Sequence, residues 1–194
     1  MLGLAVIACM ASAVLAASAI PKILDPNSTT TALQRAGLPA SRQLGRGVGV
    51  VELVVAIACS FLNTPTGALL QGLLYVAFSW FLLRLKHRSS GPASCGCFGQ
   101  QATVVGRLHI GINLSFATLT LAYPVFSFDS YRSPATAILT SSDALLLIAV
   151  TGIGALTMMT VLKYFDAAFH RWRSGEDDSA MPSWRWYGAR EGVL

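Results

Sequence analysis

Five apolar stretches dominate this chain: residues 2–20, 46–62, 67–85, 108–128 and 144–165. Each is close to the length at which a helix crosses a bilayer, about 20 residues within a usable range of about 17 to 25. Inside hydrocarbon every backbone N–H and C=O must be satisfied within the segment, so such stretches can only be helices. The second is the shortest, and it reaches span length by recruiting its entry through Gly45, Gly47 and Gly49. Only 12% of the 194 residues are charged, against roughly 25% in soluble domains. Mean hydropathy is +0.58. An all-α integral membrane protein is therefore expected, with residues 1–165 as one polytopic domain and 166–194 as a cytoplasmic or interfacial, partly disordered tail.

A formal net charge of +5 would suit nucleic acid, but the basic residues flank the apolar runs, which is how membrane proteins set their orientation. No nucleic-acid partner is expected; the bilayer is. With five spans, the 21–47 and 86–107 connections and the tail share one side. That side carries Lys22, Arg35, Arg42, Arg46, Arg84, Lys86 and Arg88, with Arg107, Lys163, Arg171, Arg173, Arg185 and Arg190. Arg132 stands alone on the other. The asymmetry predicts a multi-pass protein of the cell inner membrane with its N-terminus outside and its C-terminus inside. Asn63-Thr64-Pro65-Thr66 predicts a tight connection, so spans two and three form an antiparallel hairpin. In the tail, Trp172, Trp184, Trp186 and Tyr187 are placed at the headgroups, and residues 175–179 are read as disordered. Ala17-Ser18-Ala19 resembles a signal-peptidase site, but residues 1–3 hold no Lys or Arg; the first span is expected to be retained.

Chemistry is concentrated in one polar connection, Ser94-Cys95-Gly96-Cys97-Phe98-Gly99. An i, i+2 cysteine pair reaches disulfide distance only by turning, and Gly96 removes the side-chain obstacle to that turn. The small ring would be strained, and strained disulfides are the labile, oxidising ones. Lys86, Arg107 and His109 lie near enough in sequence to favour thiolate, the attacking species. Cys95 and Cys97 are the candidate catalytic residues. Redox exchange, a structural disulfide or turn, and soft-metal binding all fit the pair, although two cysteines fall short of the four ligands of a structural zinc site. No metal site is assigned.

Alternating helix directions bring Lys22, Glu52, the cysteine connection, His109 and Asn113 to one end of the bundle. Glu52 is the one acid well inside an apolar stretch, where a carboxylate must be paired or wet. Lys22, Arg107, His109 or a polar group on span four are its candidate partners. A structural ion pair is the simpler reading, and proton handling beside the thiols the sharper one. His109 reads as an interfacial histidine, with ligand or base as the alternative; Asn113 reads as an interhelical hydrogen-bonding group. Cys9 shares a face with Ala5, Ser12 and Ala16, a small-residue stripe suited to close packing. Cys9 and Cys59 read as packing groups, or as a second thiol pair relaying electrons. The cysteine connection itself is expected to be solvent-accessible and to add little apolar packing.

Lys22-Ile23-Leu24-Asp25-Pro26, Gly37-Leu38-Pro39, Glu52, Cys95-Gly96-Cys97-Phe98-Gly99 and Asn113 occur in that order over roughly residues 1–128. In this the chain resembles the MauE family, itself similar to DoxX-like membrane proteins. The resemblance implies a four-helix bundle, to which the chain adds a fifth, C-terminal transmembrane helix. It further implies an accessory role in maturing a partner protein through disulfide formation, in the family the methylamine dehydrogenase light chain. It assigns Cys95 and Cys97 as the cysteine pair and Glu52 as the intramembrane acid; Lys22, Gly96, His109 and Asn113 are supporting residues by their place beside these. The expected partner is a thioredoxin-like redox protein or a client protein. No cofactor is evident in the sequence, and a quinone becomes the natural oxidant if the cysteines face outward. The competing function is a non-enzymatic membrane assembly factor with structural cysteines.

Overall fold

The computed structural model describes residues 2–89, 95, 106–126 and 131–174, with side chains through Val161 and at Tyr164. Among them are seven helices: α1 (Leu2–Leu24), α2 (Asn27–Arg35), α3 (Arg42–Phe61), α4 (Pro65–Arg88), α5 (Arg107–Phe126), α6 (Pro134–Leu139) and α7 (Ala144–Ser174). Five of them, α1, α3, α4, α5 and α7, are long and apolar enough to cross a membrane. The chain is an all-α integral membrane protein.

Local chemistry sets the ends of these elements. The Oγ of Ser41 accepts from the Leu44 N–H and caps α3, and Pro65 opens α4, where a proline has no intrahelical donor to lose. The α2 C-terminus is closed by Gly37 at φ 66°, with Gly37 N–H donating to Gln34 O and Leu38 N–H to Leu33 O. That pairing satisfies two orphan carbonyls and needs a left-handed residue at the turn. Arg84 Nε then donates to Ala36 O, tying the end of α2 to α4. At the opposite end of the bundle, Asn63 Oδ1 accepts from Ser133 N–H and Thr136 Oγ1. The α3–α4 connection is thus also the anchor for the start of α6.

α1, α3, α4 and α5 pack pairwise in a closed ring, and α7 lies outside it against α1 and, less extensively, α5. Half of the α1 span is buried, but only 6% of the α7 span. α1 can sit at the centre because its inner face is made of Ala5, Ala8, Ala11 and Ala19, all without exposure. Small residues let backbones approach, and in lipid that close packing does the work the hydrophobic effect does in water. Outward-facing Val50, Val54, Ile57, Leu69, Leu73 and Val76 are exposed, as a lipid-facing surface requires.

Several boundaries differ from the sequence reading: α3 begins at Arg42 rather than 46 and α4 runs to Arg88 rather than 85. α1 runs through Pro21 to Leu24 rather than ending at residue 20. Pro21 has no N–H to give the Ala17 carbonyl, so α1 continues to Leu24 at the cost of one intrahelical hydrogen bond. α7 continues to Ser174, past the apolar run.

Candidate functional site: a buried ion pair between two cavities

Ser18 and Lys22 are four residues apart, so they share one face of α1, and that face meets α3 at Glu52. Lys22 Nζ lies 2.7 and 2.6 Å from the two carboxylate oxygens of Glu52. Ser18 Oγ donates to Glu52 Oε2 at 2.8 Å, and Lys22 Nζ reaches Ser18 Oγ at 3.3 Å. Glu52 has no exposure and Lys22 only 4%. The ammonium also stands 5.5 Å from the Phe78 ring centroid on α4, where the ring face attracts a cation. Each charge thus has its counter-charge and hydrogen bonds, the condition for tolerating an ion pair away from water.

Beside this pair lies a cavity of about 30 Å³, bounded by Ser18, Lys22, Tyr75, His109 and Asn113 among others. That is room for a water molecule among polar partners. His109 is buried, and its Nδ1 has no hydrogen-bond partner among the described residues. Asn113 Nδ2 donates to the His109 carbonyl at 2.8 Å. Farther along α1, Ser12 Oγ donates to Gln71 Oε1, Gln71 Nε2 to Ala8 O and Tyr75 Oη to Ala11 O. A column of polar contacts therefore runs up the α1–α4 seam to the ion pair.

On the other side of Lys22 is a larger cleft of about 520 Å³ between α3 and α4, reaching Cys95. Cys95 sits at the end of the bundle in an apolar cluster with Ala32, Ala36, Leu82, Leu85 and Ile110. Lys22, Phe78 and Phe81 border both cavities and separate the smaller from the larger.

Of the candidate partners for Glu52, the structure brings up Lys22; Arg107 is exposed at the start of α5. Three expectations need correction. Cys95 is not solvent-accessible, being 2% exposed, because α2 folds over the end of α4 and leaves an apolar recess that the thiol fills. Cys95 itself accordingly contributes packing. His109 is not interfacial, because the first turn of α5 is drawn in against α1 and α4. The Asn113 amide bonds its own helix rather than another. Cys97 and Gly96 lie outside the described residues, as do the side chain of Trp172 and residues 175–194. Cys59 is buried and Cys9 partly so. Among the described residues no group of three or more His, Cys, Asp or Glu could hold a metal ion.

Gln71 and Phe78 were absent from the sequence reading, and Ser18 entered it only within the triplet that resembles a signal-peptidase site. Ser18 was legible: it lies one helical turn before Lys22, and a hydroxyl beside a buried charge pair is a ready third partner. Gln71, an uncharged polar residue in the middle of a span, carried a similar signal.

Neither the curated proteins nor the solved structures contain a match to this chain. Residues 1–127 match the family described as methylamine utilisation protein MauE, covering the four-helix ring with its ion pair and its cysteine connection. The chain belongs to the MauE family.

Proposed function

We propose that this protein is a membrane accessory factor of the MauE type, in which Cys95 and Cys97 exchange disulfides with a partner protein and so support its maturation. Family membership supports the accessory role in methylamine utilisation. The observation that carries the thiol reading is the placement of Cys95, held at the end of the bundle on the wall of a cleft that Lys22 also lines. In the exchange, a partner thiolate attacks the Cys95–Cys97 disulfide and displaces one sulfur. The partner's second thiol then resolves the mixed disulfide. The partner leaves with a new disulfide, and the chain keeps both thiols and both electrons. The basic residues around the cysteine connection support its placement on the cytoplasmic side of the inner membrane, where a thioredoxin-like protein is the natural partner.

The burial of Cys95 favours a second reading, an assembly factor in which this cysteine only packs. A Cys95→Ser/Cys97→Ser variant separates the two in a strain lacking the wild-type copy. Loss of partner maturation at normal membrane abundance is expected. Full maturation at normal abundance would leave the assembly reading in its place.

A further inference from the structure

The exchange proposed above leaves the 520 Å³ cleft without a role. Its volume falls within the range of small-molecule sites, about 300–1,000 Å³. Leu44, Val51 and Trp80 on its walls are exposed on the outer surface of the bundle, whereas Lys22 and Cys95 at its inner end are buried. The cleft therefore leads from the lipid-facing surface of α3 and α4 inward to a cation and a thiol. Apart from Lys22, Thr29 and Cys95, its walls are apolar or aromatic.

We propose that this cleft binds the ring of a lipid-soluble quinone, with a ring carbonyl at Lys22 and the ring edge toward Cys95. Entry through lipid-facing walls selects a hydrophobic molecule. Phe78, Trp80 and Phe81 offer flat surfaces to a ring. The charge at the inner end is already balanced, because Glu52 makes both short bonds to Lys22. An anionic headgroup would meet that carboxylate as well as the ammonium, so a neutral acceptor is favoured. An ammonium has three protons to donate. The third goes to Ser18 over a long 3.3 Å, a weak contact that the ammonium can give up by turning that proton toward a carbonyl oxygen in the cleft.

This site rests on the thiol exchange proposed above, and it supplies the oxidant that exchange lacks. The reduced Cys95 and Cys97 lose their two S–H bonds and form one S–S bond. Two electrons and two protons pass to the quinone, which leaves as the quinol. The disulfide is restored for the next partner.

The test reads binding, not turnover. Full-length protein is placed in nanodiscs with Trp172, Trp184 and Trp186 changed to Phe, so that Trp80 is the one tryptophan left. Titration with a decyl-substituted benzoquinone should quench Trp80 saturably. Ala77→Phe projects a ring into the cleft from an exposed position of α4; it should weaken quenching about tenfold or more at unchanged membrane abundance. Quenching that does not saturate, that Ala77→Phe leaves unchanged, or that equimolar oleate abolishes would overturn the quinone site. Those results leave the exchange itself standing, and failure of the complementation test leaves the binding result standing, so the two claims fall separately.

Discussion

At the scale of single residues, the chain's most costly feature is a lysine and a glutamate removed from water, and their value depends on their being removed or kept together. Glu52→Gln leaves the Lys22 ammonium buried without its counter-charge, and breaking such a pair costs about 3–5 kcal/mol. We expect a sharp fall in the unfolding temperature in detergent, and in membrane abundance. Lys22→Met with Glu52→Leu removes both charges, and the Ser18 hydroxyl can give its one proton to the Leu15 carbonyl 2.9 Å away. Replacing a whole buried pair by apolar groups is often neutral or stabilising, so the double variant should be at least as stable as the parent. If Lys22 serves the cleft, this stable protein will still fail to mature its partner; normal maturation would reduce the pair to a fastener. Ser18→Ala should cost about 1.5 kcal/mol, the worth of one hydrogen bond to a charged group at its lower end. Much of this site was legible in the sequence, because a carboxylate inside an apolar run demands a partner and Lys22 was among the few on offer. The burial of Cys95 was not legible. It depends on how α2 lies across the end of α4, a tertiary arrangement that no local pattern encodes.

Between elements, the tightest approaches are made where glycine removes a side chain from a helix crossing. A Cβ at Gly67 would stand 2.6 Å from the Ala58 carbonyl oxygen and 2.8 Å from the Cys59 Cα, all backbone. At Gly49 it would stand 2.9 Å from the Ala19 carbonyl oxygen on α1. Backbone cannot swing aside as a side chain can, so Gly67→Ala and Gly49→Ala should each destabilise by about 1–3 kcal/mol. Gly111 on α5 has open space at the corresponding point, and Gly111→Ala should be neutral or slightly stabilising from helix propensity alone. Detergent unfolding curves of the three variants check the order, and equal stability for all three would refute the crossing geometry. The helices themselves were evident from apolar length, and so was the hairpin at Asn63. Which glycines sit at crossings was not, since Gly47 and Gly111 look no different in sequence from Gly49 and Gly67. Only the azimuth of each helix, set by the packing of the whole ring, separates them.

For the molecule as a whole, the arrangement follows from which surfaces must avoid lipid. α1 is the central strut, carrying Ser18 and Lys22 to Glu52, and cleavage after Ala19 would sever it between those two residues. One of the thirteen basic residues counted toward orientation, Lys22, is neutralised inside the bundle. Twelve remain on that side against Arg132, so the expected orientation keeps its basis in the positive-inside bias. Absolute sidedness has to be read from the surface, because Cys95 is too buried to report it by labelling. His87 at the end of α4 and Thr140 after α6 are both exposed and belong to opposite ends of the bundle. On a background with the four native cysteines changed to alanine or serine, His87→Cys should resist a membrane-impermeant maleimide in intact spheroplasts and react once they are permeabilised. Thr140→Cys should react from the start. The reverse pattern would put the cysteine connection outside. The partner would then have to be sought on that side, with the quinone cleft, which opens to the bilayer, still able to serve it.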